Sequence, residues 1–264
     1  MKLQKALLTL HSNQTSTKND ALISKLDSRI LILTTVIYLV FVLSLPLVSL
    51  AQIIWFAVYP IIMAPLTGTN YSNIFIKSLW VLPLILLIGI FNPILDHTEA
   101  FKISGVTVSY GWLTFSSIIV RGLLCMQALI ILINYDGFLK ICESLRSFGL
   151  PKILTVQLLM LYRYLGVLLE EAQRMHISII SRGYGKSSFP LKMWTQFIGS
   201  LFINTVERSK RIHMAMSARC FDGEIQLGET KRWNLKDIYF LIVWSSIFIL
   251  LRFYNLSDFL FSTF

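Results

Sequence analysis

Residues 26–66 form one nearly uninterrupted apolar run, and this run constrains the fold more than any other stretch. A single helix of that length would measure roughly 55 Å, whereas the hydrocarbon core of a bilayer is about 30 Å thick. The run must therefore double back. Pro46 marks the most favourable turn because proline costs a helix interior about 3 kcal/mol. We predict two short spans, at 30–45 and 47–64.

Three further apolar stretches follow, at 77–95, 112–133 and 237–254. Between the third and fourth spans, residues 96–111 are polar and partly alternate with apolar ones, which predicts a small hairpin outside the membrane. Charged residues make up only 14% of the chain and apolar residues 55%, a balance that indicates lipid as the solvent for much of it. The sequence therefore predicts an all-α integral membrane protein with about five transmembrane helices.

The basic residues are unevenly distributed. Of the 24 lysines and arginines, 14 lie between Lys140 and Arg232 and five precede residue 30, whereas the segment 96–111 has one. Loops that stay in the cytoplasm carry such an excess. We predict a cytoplasmic arm at 1–25, four spans within 26–134, a cytoplasmic region at 135–235, and a last span with a short outer tail at 236–264. The cytoplasmic region opens with an amphipathic segment, Phe138–Phe148, and Gly149-Leu150-Pro151 predicts the C-cap that ends it. The charges are too dispersed for a nucleic-acid stripe.

Two stretches, 170–185 and 207–223, match when one is shifted by 37 positions onto the other. Each is a long helical pattern that ends in small–Arg–small–aromatic. We predict two helices, at 152–181 and 191–219, each about 45 Å long. The matched pairs are Glu170 and Glu207, Arg174 and Arg211, His176 and His213, Arg182 and Arg219, and Tyr184 and Phe221.

The two terminal arginines carry the strongest functional signal of the duplication. Arg182 and Arg219 each come at a predicted helix C-terminus, where the helix dipole favours a cation. The guanidinium offers a planar fork to carboxylates and carbonyls, and the aromatic neighbour can fill a pocket. Two such helix ends in register predict that the chain docks into two equivalent sockets on a partner, such as a dimer with two-fold symmetry.

Catalytic and metal-binding patterns give no comparable signal. His176 and His213 have no second histidine at i+4, and no paired carboxylates lie in the apolar stretches. The run Gly183-Tyr184-Gly185-Lys186-Ser187 lacks the preceding strand and the spacing of a phosphate-binding loop. The three cysteines, Cys125, Cys142 and Cys220, have no paired spacing. We therefore expect no catalytic site, no metal site and no cofactor.

Arg121 lies near the middle of the fourth predicted span. An arginine that faces lipid at that depth costs at least about 2.5 kcal/mol, so its side chain is expected to face protein. Two interpretations stay open: a contact with a membrane partner, and snorkelling or an internal hydrogen bond.

Several short motifs are distributed over nearly the whole chain. They are Leu26-Asp27-Ser28-Arg29, Phe91-Asn92-Pro93, Leu150-Pro151, Tyr162-Arg163-Tyr164 with Glu170-Glu171, Ser181-Arg182-Gly183-Tyr184, and Ala215-Met216-Ser217-Ala218-Arg219-Cys220-Phe221-Asp222-Gly223. On these motifs the chain resembles the transmembrane (T) component of energy-coupling factor (ECF) transporters, most closely the cobalt/nickel CbiQ-type branch. The last motif is the most specific.

The resemblance implies that the duplicated helices are cytoplasmic coupling helices, each of which docks into a groove on one of two ATP-hydrolysing subunits. The implied docking residues are Ser181, Arg182, Gly183, Tyr184, Ala218, Arg219, Cys220 and Phe221. The helices are supported by Glu170, Glu171, Arg174, Glu207 and Arg211, of which Glu170–Arg174 and Glu207–Arg211 are i,i+4 pairs worth about 0.2–0.5 kcal/mol each. The chain departs from the family pattern at Ser181, usually Ala, and at Cys220, usually Gly.

The function implied by the resemblance is a non-catalytic scaffold in the cytoplasmic membrane of a prokaryote. It would transmit ATP-driven motion from two ATPase subunits to a substrate-capture (S) protein that imports cobalt or nickel. The alternatives are a vitamin-type T component, a conventional ABC permease subunit and, from a different class, an integral membrane enzyme.

Overall fold

The computed structural model describes residues 26–46, 50–95, 99–103, 106–182, 191–223 and 234–253. The predicted arm at 1–25, the linker at 183–190 and the tail beyond 253 lie outside the described residues. In chain order the elements are α1 (Ser28–Ser44), α2 (Leu50–Trp55), α3 (Val58–Leu66), α4 (Tyr71–Leu79), α5 (Leu82–Gly89), α6 (Phe91–Leu95), β1 (Glu99–Ile103), β2 (Val106–Ser109), α7 (Tyr110–Ser147), α8 (Lys152–Arg182), α9 (Leu191–Ser217) and α10 (Leu235–Phe253).

Contacts divide the chain into two compact units. The larger unit contains the described residues up to Ile141 together with α10. The smaller unit begins at Cys142 and contains α8 and α9. Our predicted boundaries at 26–134, 135–235 and 236–264 divide the chain by membrane side, and they stay a prediction.

The core of the larger unit is an aromatic cluster. The rings of Tyr38 and Tyr59 stack with their centroids 4.4 Å apart, and the Trp244 ring meets Tyr59 edge-on at 4.9 Å. Phe248 lies 5.5 Å from Tyr38, and the Tyr38 hydroxyl donates a 3.1 Å hydrogen bond to the Phe56 carbonyl. The cluster therefore packs α10 directly against α1 and the segment α2–α3, since offset and edge-to-face ring pairs stabilise beyond their buried area.

The predicted turn at Pro46 is confirmed. Helix α1 ends at Ser44, and Leu45 takes an extended conformation with ψ of 149°. The residue before a proline is biased towards this conformation because the proline ring clashes with a helical neighbour. A helix lies on each of the five stretches that we predicted as spans.

The long apolar helices confirm an all-α membrane protein. By length and composition, α7 and α8 can each cross a membrane, and the pair Tyr71–Leu79 and Leu82–Ile94, bent by 47°, makes a third candidate. The helices Ser28–Ser44 and Gln52–Leu66 are apolar but shorter. The count of five spans therefore stays a prediction. Helix α8 qualifies by length and composition, although we predicted that all of 152–181 belongs to the cytoplasmic region at 135–235.

Helix α7 runs for 38 residues but consists of two helical parts, which meet at a kink at Gly137, where φ is 69° and ψ is 162°. The first part covers the fourth predicted span, and the second covers the amphipathic segment predicted at Phe138–Phe148. Glycine alone adopts such a conformation without a steric cost. The helix ends as predicted at Gly149, where φ is 99°. There the Leu150 amide donates to the Leu145 carbonyl and the Gly149 amide to that of Arg146, which is a Schellman cap.

The predicted hairpin and the two long helices are also present. Strands β1 and β2 pair antiparallel, with Ile103 opposite Val106. Helix α8 has 31 residues and α9 has 27, close to the predicted ranges of 152–181 and 191–219. Apart from this two-stranded ribbon, the described elements are all helical.

Candidate functional site

The candidate site consists of the ends of α8 and α9 and the surfaces between these helices. Helix α9 ends in a second Schellman cap: the Phe221 amide donates a 3.1 Å hydrogen bond to the Met216 carbonyl, and the Cys220 amide donates at 3.0 Å to that of Ser217. These bonds satisfy carbonyls that a helix end otherwise leaves free. Arg219 is the last residue before the chain turns out of the helix at Cys220, and its side chain is exposed.

Cys220 holds the position in this cap that usually belongs to glycine. Its φ is 55°, and among the described non-glycine residues it alone has a positive φ. A side chain in the left-handed region costs about 1–2 kcal/mol because Cβ approaches the following carbonyl oxygen. The departure from the family pattern thus leaves the cap intact but strained. The thiol is exposed, beside Arg219 and Phe221.

The end of α8 is described as far as Arg182. The Arg182 side chain is exposed, and the Ser181 hydroxyl donates a 3.0 Å hydrogen bond to the Ile177 carbonyl one turn earlier. Because this bond turns the Ser181 oxygen back onto the helix, serine occupies the place of the usual alanine without needing a partner. The other two residues of the motif, Gly183 and Tyr184, lie outside the described part of the chain.

The supporting charges behave differently in the two copies. Glu170 and Arg174 form the predicted i,i+4 ion pair at 3.5 Å, with both side chains well exposed. Glu207 and Arg211 lie one turn apart on α9 but do not form an ion pair in this described segment. An exposed pair of this kind contributes at most a few tenths of a kcal/mol, so its absence in the second copy changes little.

A second ion pair, which sequence reasoning missed, joins the two helices. Arg208 on α9 contacts Glu171 on α8 at 3.7 Å, with side-chain exposures of 43% and 31%. The two residues are separated by 37 positions, so they are equivalent under the duplication. The sequence did hold one sign of this contact, because the duplication places opposite charges at these two matched positions. Because Glu171 and Arg208 are equivalent, their contact lies as many residues before Arg182 in the first copy as before Arg219 in the second.

Two clefts lie between α8 and α9. The large cleft has a volume of about 460 Å³, and the small cleft of about 10 Å³. His213 lines the large cleft and His176 the small one. The duplicated histidines are therefore in separate clefts. Among the described residues no group of three His, Cys, Asp or Glu side chains is placed to hold a metal ion.

Arg121 is only 8% exposed and is turned towards the end of α1. Its guanidinium donates to the carbonyls of Leu43 at 3.3 Å, Leu45 at 3.1 Å and Pro46 at 3.3 Å. The internal hydrogen bonds that the sequence left open are thus formed. A role for Arg121 towards a membrane partner stays a prediction.

The motif that contains Asp27 and Ser28 joins two distant parts of the larger unit. The Asp27 carboxylate accepts from the Arg29 amide at 3.3 Å and caps α1. The Ser28 hydroxyl donates a 2.5 Å hydrogen bond to Asp136 Oδ1 on α7, and Asp136 is only 6% exposed. Asp136 belongs to no local motif, so the sequence offered no signal for it.

The chain has apolar helices long enough to span a membrane. It also has a duplicated pair of helices, α8 and α9, with an exposed arginine at the end of each copy. These features define a class of helical membrane protein. Residues 20–229 match the sequence model of the CbiQ family, described as cobalt transport protein. The chain belongs to this family, which comprises transmembrane components of energy-coupling factor transporters.

Individual relatives cover different shares of the chain. An energy-coupling factor transporter transmembrane protein, EcfT, of Clostridium kluyveri is 27% identical over 81% of this chain and 86% of its own length. An uncharacterized protein of Methanocaldococcus jannaschii is 26% identical over 86% of this chain and 80% of its own length. Another from that organism is 30% identical over 43% of this chain, and the match spans 43% of that protein.

Proposed function

We propose that this multi-pass membrane protein is the scaffold of an ATP-driven importer, in which Arg182 and Arg219 dock into two ATPase subunits. The observation that carries the proposal is the geometry of the crossed helices. Arg182 follows Glu171 by eleven residues, and Arg219 follows Arg208 by eleven. Each arm from the Glu171–Arg208 crossing is therefore about 16 Å long. Equal arms suit two equal sockets on a two-fold symmetric partner.

The chemistry of the helix ends supports docking. At α9 the Schellman cap satisfies the last carbonyls internally, so Arg219 keeps its hydrogen-bonding capacity for a partner. Phe221 is 36% exposed directly beyond it, and an aromatic ring beside an arginine is a frequent composition of binding hot spots. In this proposal the ATPase subunits hydrolyse ATP and the chain itself performs no catalysis.

We assign cargo recognition to a separate capture protein in the membrane, which the coupling helices move. The description of the matched family as cobalt transport protein supports cobalt or nickel as the cargo. A vitamin remains the second candidate, because the resemblance leaves a vitamin-type T component open as the alternative. The excess of basic residues between Lys140 and Arg232 and before residue 30 supports a cytoplasmic position for α8, α9 and the N-terminus.

The test is copurification of the two ATPase subunits with chains that carry charge reversals. We expect Arg182→Glu and Arg219→Glu together to abolish both copurification and uptake of radiolabelled cobalt or nickel. Each lost contact typically costs about 2–5 kcal/mol. A single reversal can still copurify, because the other helix end keeps the ATPase dimer at high effective concentration.

The matched control reverses Lys192 and Lys210, two exposed cations on α9 away from its end. It makes the same change in net charge, and we expect the ATPases to remain bound. Full uptake by the Arg182/Arg219 double variant would refute docking through these residues. Vitamin uptake without metal uptake would leave the proposed scaffold role standing and would change only the assigned cargo.

A further inference from the structure

The large cleft between α8 and α9 has the size and the lining of a site for a small amphiphilic ligand. Its volume of about 460 Å³ falls within the range of roughly 300–1,000 Å³ that is usual for small-molecule sites. The lining positions on α8 lie three or four residues apart, or next to each other, which places them on one face of the helix. Such a lining retains the apolar part of a ligand. Its apolar side chains are Met160, Val167, Leu168, Val206, Ile212 and Met216.

Two basic side chains, Arg208 and His213, also line the large cleft, whereas none of its described lining residues is acidic. Arg208 contacts Glu171 at 3.7 Å and keeps 43% of its side chain exposed. This separation exceeds the length of a hydrogen bond, about 2.7–3.2 Å, so the guanidinium can still donate to a ligand. The hydroxyls of Thr205 and Ser209 donate instead to backbone carbonyls of α9 at 2.8 Å. The cleft therefore favours a ligand with an anionic group.

The internal repeat shows that the packing of α8 on α9 does not by itself require an open cleft. The shift of 37 positions relates Trp194 and Phe197, which line the small cleft, to Gln157 and Met160. The two rings meet edge-on with centroids 5.9 Å apart, and the small cleft keeps only about 10 Å³. The first copy has no ring at these two positions, and the large cleft stays open. An exposed apolar concavity of this kind marks a binding site.

Apolar surface continues from the large cleft onto the neighbouring side of α8. Leu161 and Leu165 follow the lining residues Met160 and Tyr164 directly, and they are 58% and 39% exposed. Helix α8 is also long and apolar enough to cross a membrane, so acyl chains suit this surface. The cytoplasmic leaflet carries anionic lipids, and basic pockets between helices on that side bind their head groups. An anionic phospholipid thus combines the apolar body and the negative charge that the cleft fits.

We propose that the large cleft binds one anionic phospholipid, with an acyl chain along the apolar lining and the phosphate on Arg208 and His213. A guanidinium pairs with phosphate through two parallel hydrogen bonds, and the imidazole N–H supplies a further donor. A partly exposed ion pair contributes little, so Glu171 does not keep Arg208 from the phosphate. The lipid fills space that Trp194 and Phe197 fill in the small cleft. This site goes beyond the proposed function and does not require the ATPase subunits.

Native mass spectrometry of the full chain in detergent measures which lipid the chain retains. The probes are phosphatidylglycerol and phosphatidylcholine with the same acyl chains, so that only the head group differs. We expect the unaltered chain to retain phosphatidylglycerol about tenfold better, because charge-assisted contacts favour the head group with a net negative charge. Arg208→Gln with His213→Gln is expected to remove this preference, whereas Arg208→Lys keeps the charge and most of the preference. Equal retention of both lipids by the unaltered chain would overturn the proposal.

The matched control for the double variant is Lys210→Gln with His176→Gln. Lys210 is exposed on α9 and does not line the cleft, and His176 is the equivalent of His213 in the small cleft. The control makes the same change in net charge and in the number of histidines, and we expect it to keep the preference for phosphatidylglycerol. If the control loses the preference as well, overall charge rather than the cleft selects the lipid, and the proposal is wrong.

Filling the large cleft tests the place of the acyl chain. Gln157→Trp with Met160→Phe copies the two rings of the small cleft into the first copy and is expected to retain phosphatidylglycerol about tenfold less, because a close-packed contact leaves no room for a ligand. Leu161→Trp, on the exposed side of α8, is the control and is expected to retain the lipid. The thermal midpoint of each variant without lipid verifies that it is folded. Equal retention by the filled variant and the control would refute the site.

Photo-cross-linking in intact cells identifies the occupant. With p-benzoylphenylalanine in place of Val206, on the lining of the cleft, we expect an adduct with the mass of a phospholipid. A cross-link to another polypeptide instead would make the cleft a protein-docking surface and overturn the proposal. Added phosphatidylglycerol is expected to raise the thermal midpoint of the purified chain. An equal rise with inorganic phosphate would reduce the site to one for a free anion. Loss of ATPase copurification alone would refute the proposed function and leave the lipid site standing.

Discussion

Arg121 donates a 3.1 Å hydrogen bond to the carbonyl of Leu45, at the point where α1 ends. The last carbonyls of a helix have no partner within it, and lipid offers none. A buried arginine from α7 therefore satisfies the backbone at the Pro46 turn. The guanidinium suits this role because its donors form a planar fork that reaches several acceptors at once.

We expect Arg121→Met to destabilise the protein, since each buried acceptor left without a donor costs about 1–3 kcal/mol. Arg121→Lys keeps the charge and a single ammonium group as donor. We therefore expect it to lose less stability than Arg121→Met. The thermal midpoint in detergent measures both. If Arg121→Met unfolds at the same temperature as the parent and only uptake is lost, the arginine serves a partner rather than the turn.

A second prediction concerns the strain at Cys220. Replacement by glycine removes the Cβ atom at a φ of 55° and is expected to stabilise the end of α9 by about 1 kcal/mol. The readout is hydrogen exchange of the Phe221 amide, which is bonded to the Met216 carbonyl. Protection is expected to rise about fivefold for Cys220→Gly and not for the control Cys220→Ala. Equal exchange in both variants would show that the cap stores no strain.

A third prediction concerns access to the same thiol. Cys220 is exposed, whereas Cys142 is buried and Cys125 half-buried. We expect a bulky maleimide to label Cys220 in the isolated chain and to block ATPase binding afterwards, while the preformed complex is protected. Variants with Cys125→Ser and Cys142→Ser keep the signal specific, and mass spectrometry measures it. The same extent of labelling before and after assembly would place Cys220 outside the interface.

A fourth prediction concerns orientation. In a background free of other cysteines, Thr107→Cys in the β-hairpin is expected to react with an impermeant reagent added outside intact cells. Lys192→Cys at the start of α9 is expected to react only after the membrane is opened, because the basic segments remain in the cytoplasm. The reverse pattern would refute the assigned orientation, and with it docking to cytoplasmic ATPases.

The sequence predicted those features that depend on local chemistry. Pro46 and Gly149 determine where helices end through their own backbone preferences, and both ends are confirmed. The predicted start of the amphipathic segment at Phe138 falls directly after the break at Gly137, because glycine there adopts a conformation that interrupts the helix. Features that depend on packing between distant residues were missed.

The Ser28–Asp136 hydrogen bond connects residues 108 positions apart, a separation that no periodic pattern records. The two clefts illustrate the same limit. The 37-residue repeat was visible, but the difference in volume depends on how Trp194 and Phe197 pack, and packing follows only from the three-dimensional arrangement.

The packing of α10 against α1 has a consequence for biosynthesis. Phe248 and Trp244 complete the ring cluster around Tyr38 and Tyr59, yet α1 ends at Ser44 and α10 begins only at Leu235. At about 5–20 residues per second, α1 leaves the ribosome at least roughly 10 s before α10 is made. During that interval α1 lacks its aromatic partner. Assembly of the larger unit is therefore completed by the last helix to be synthesised.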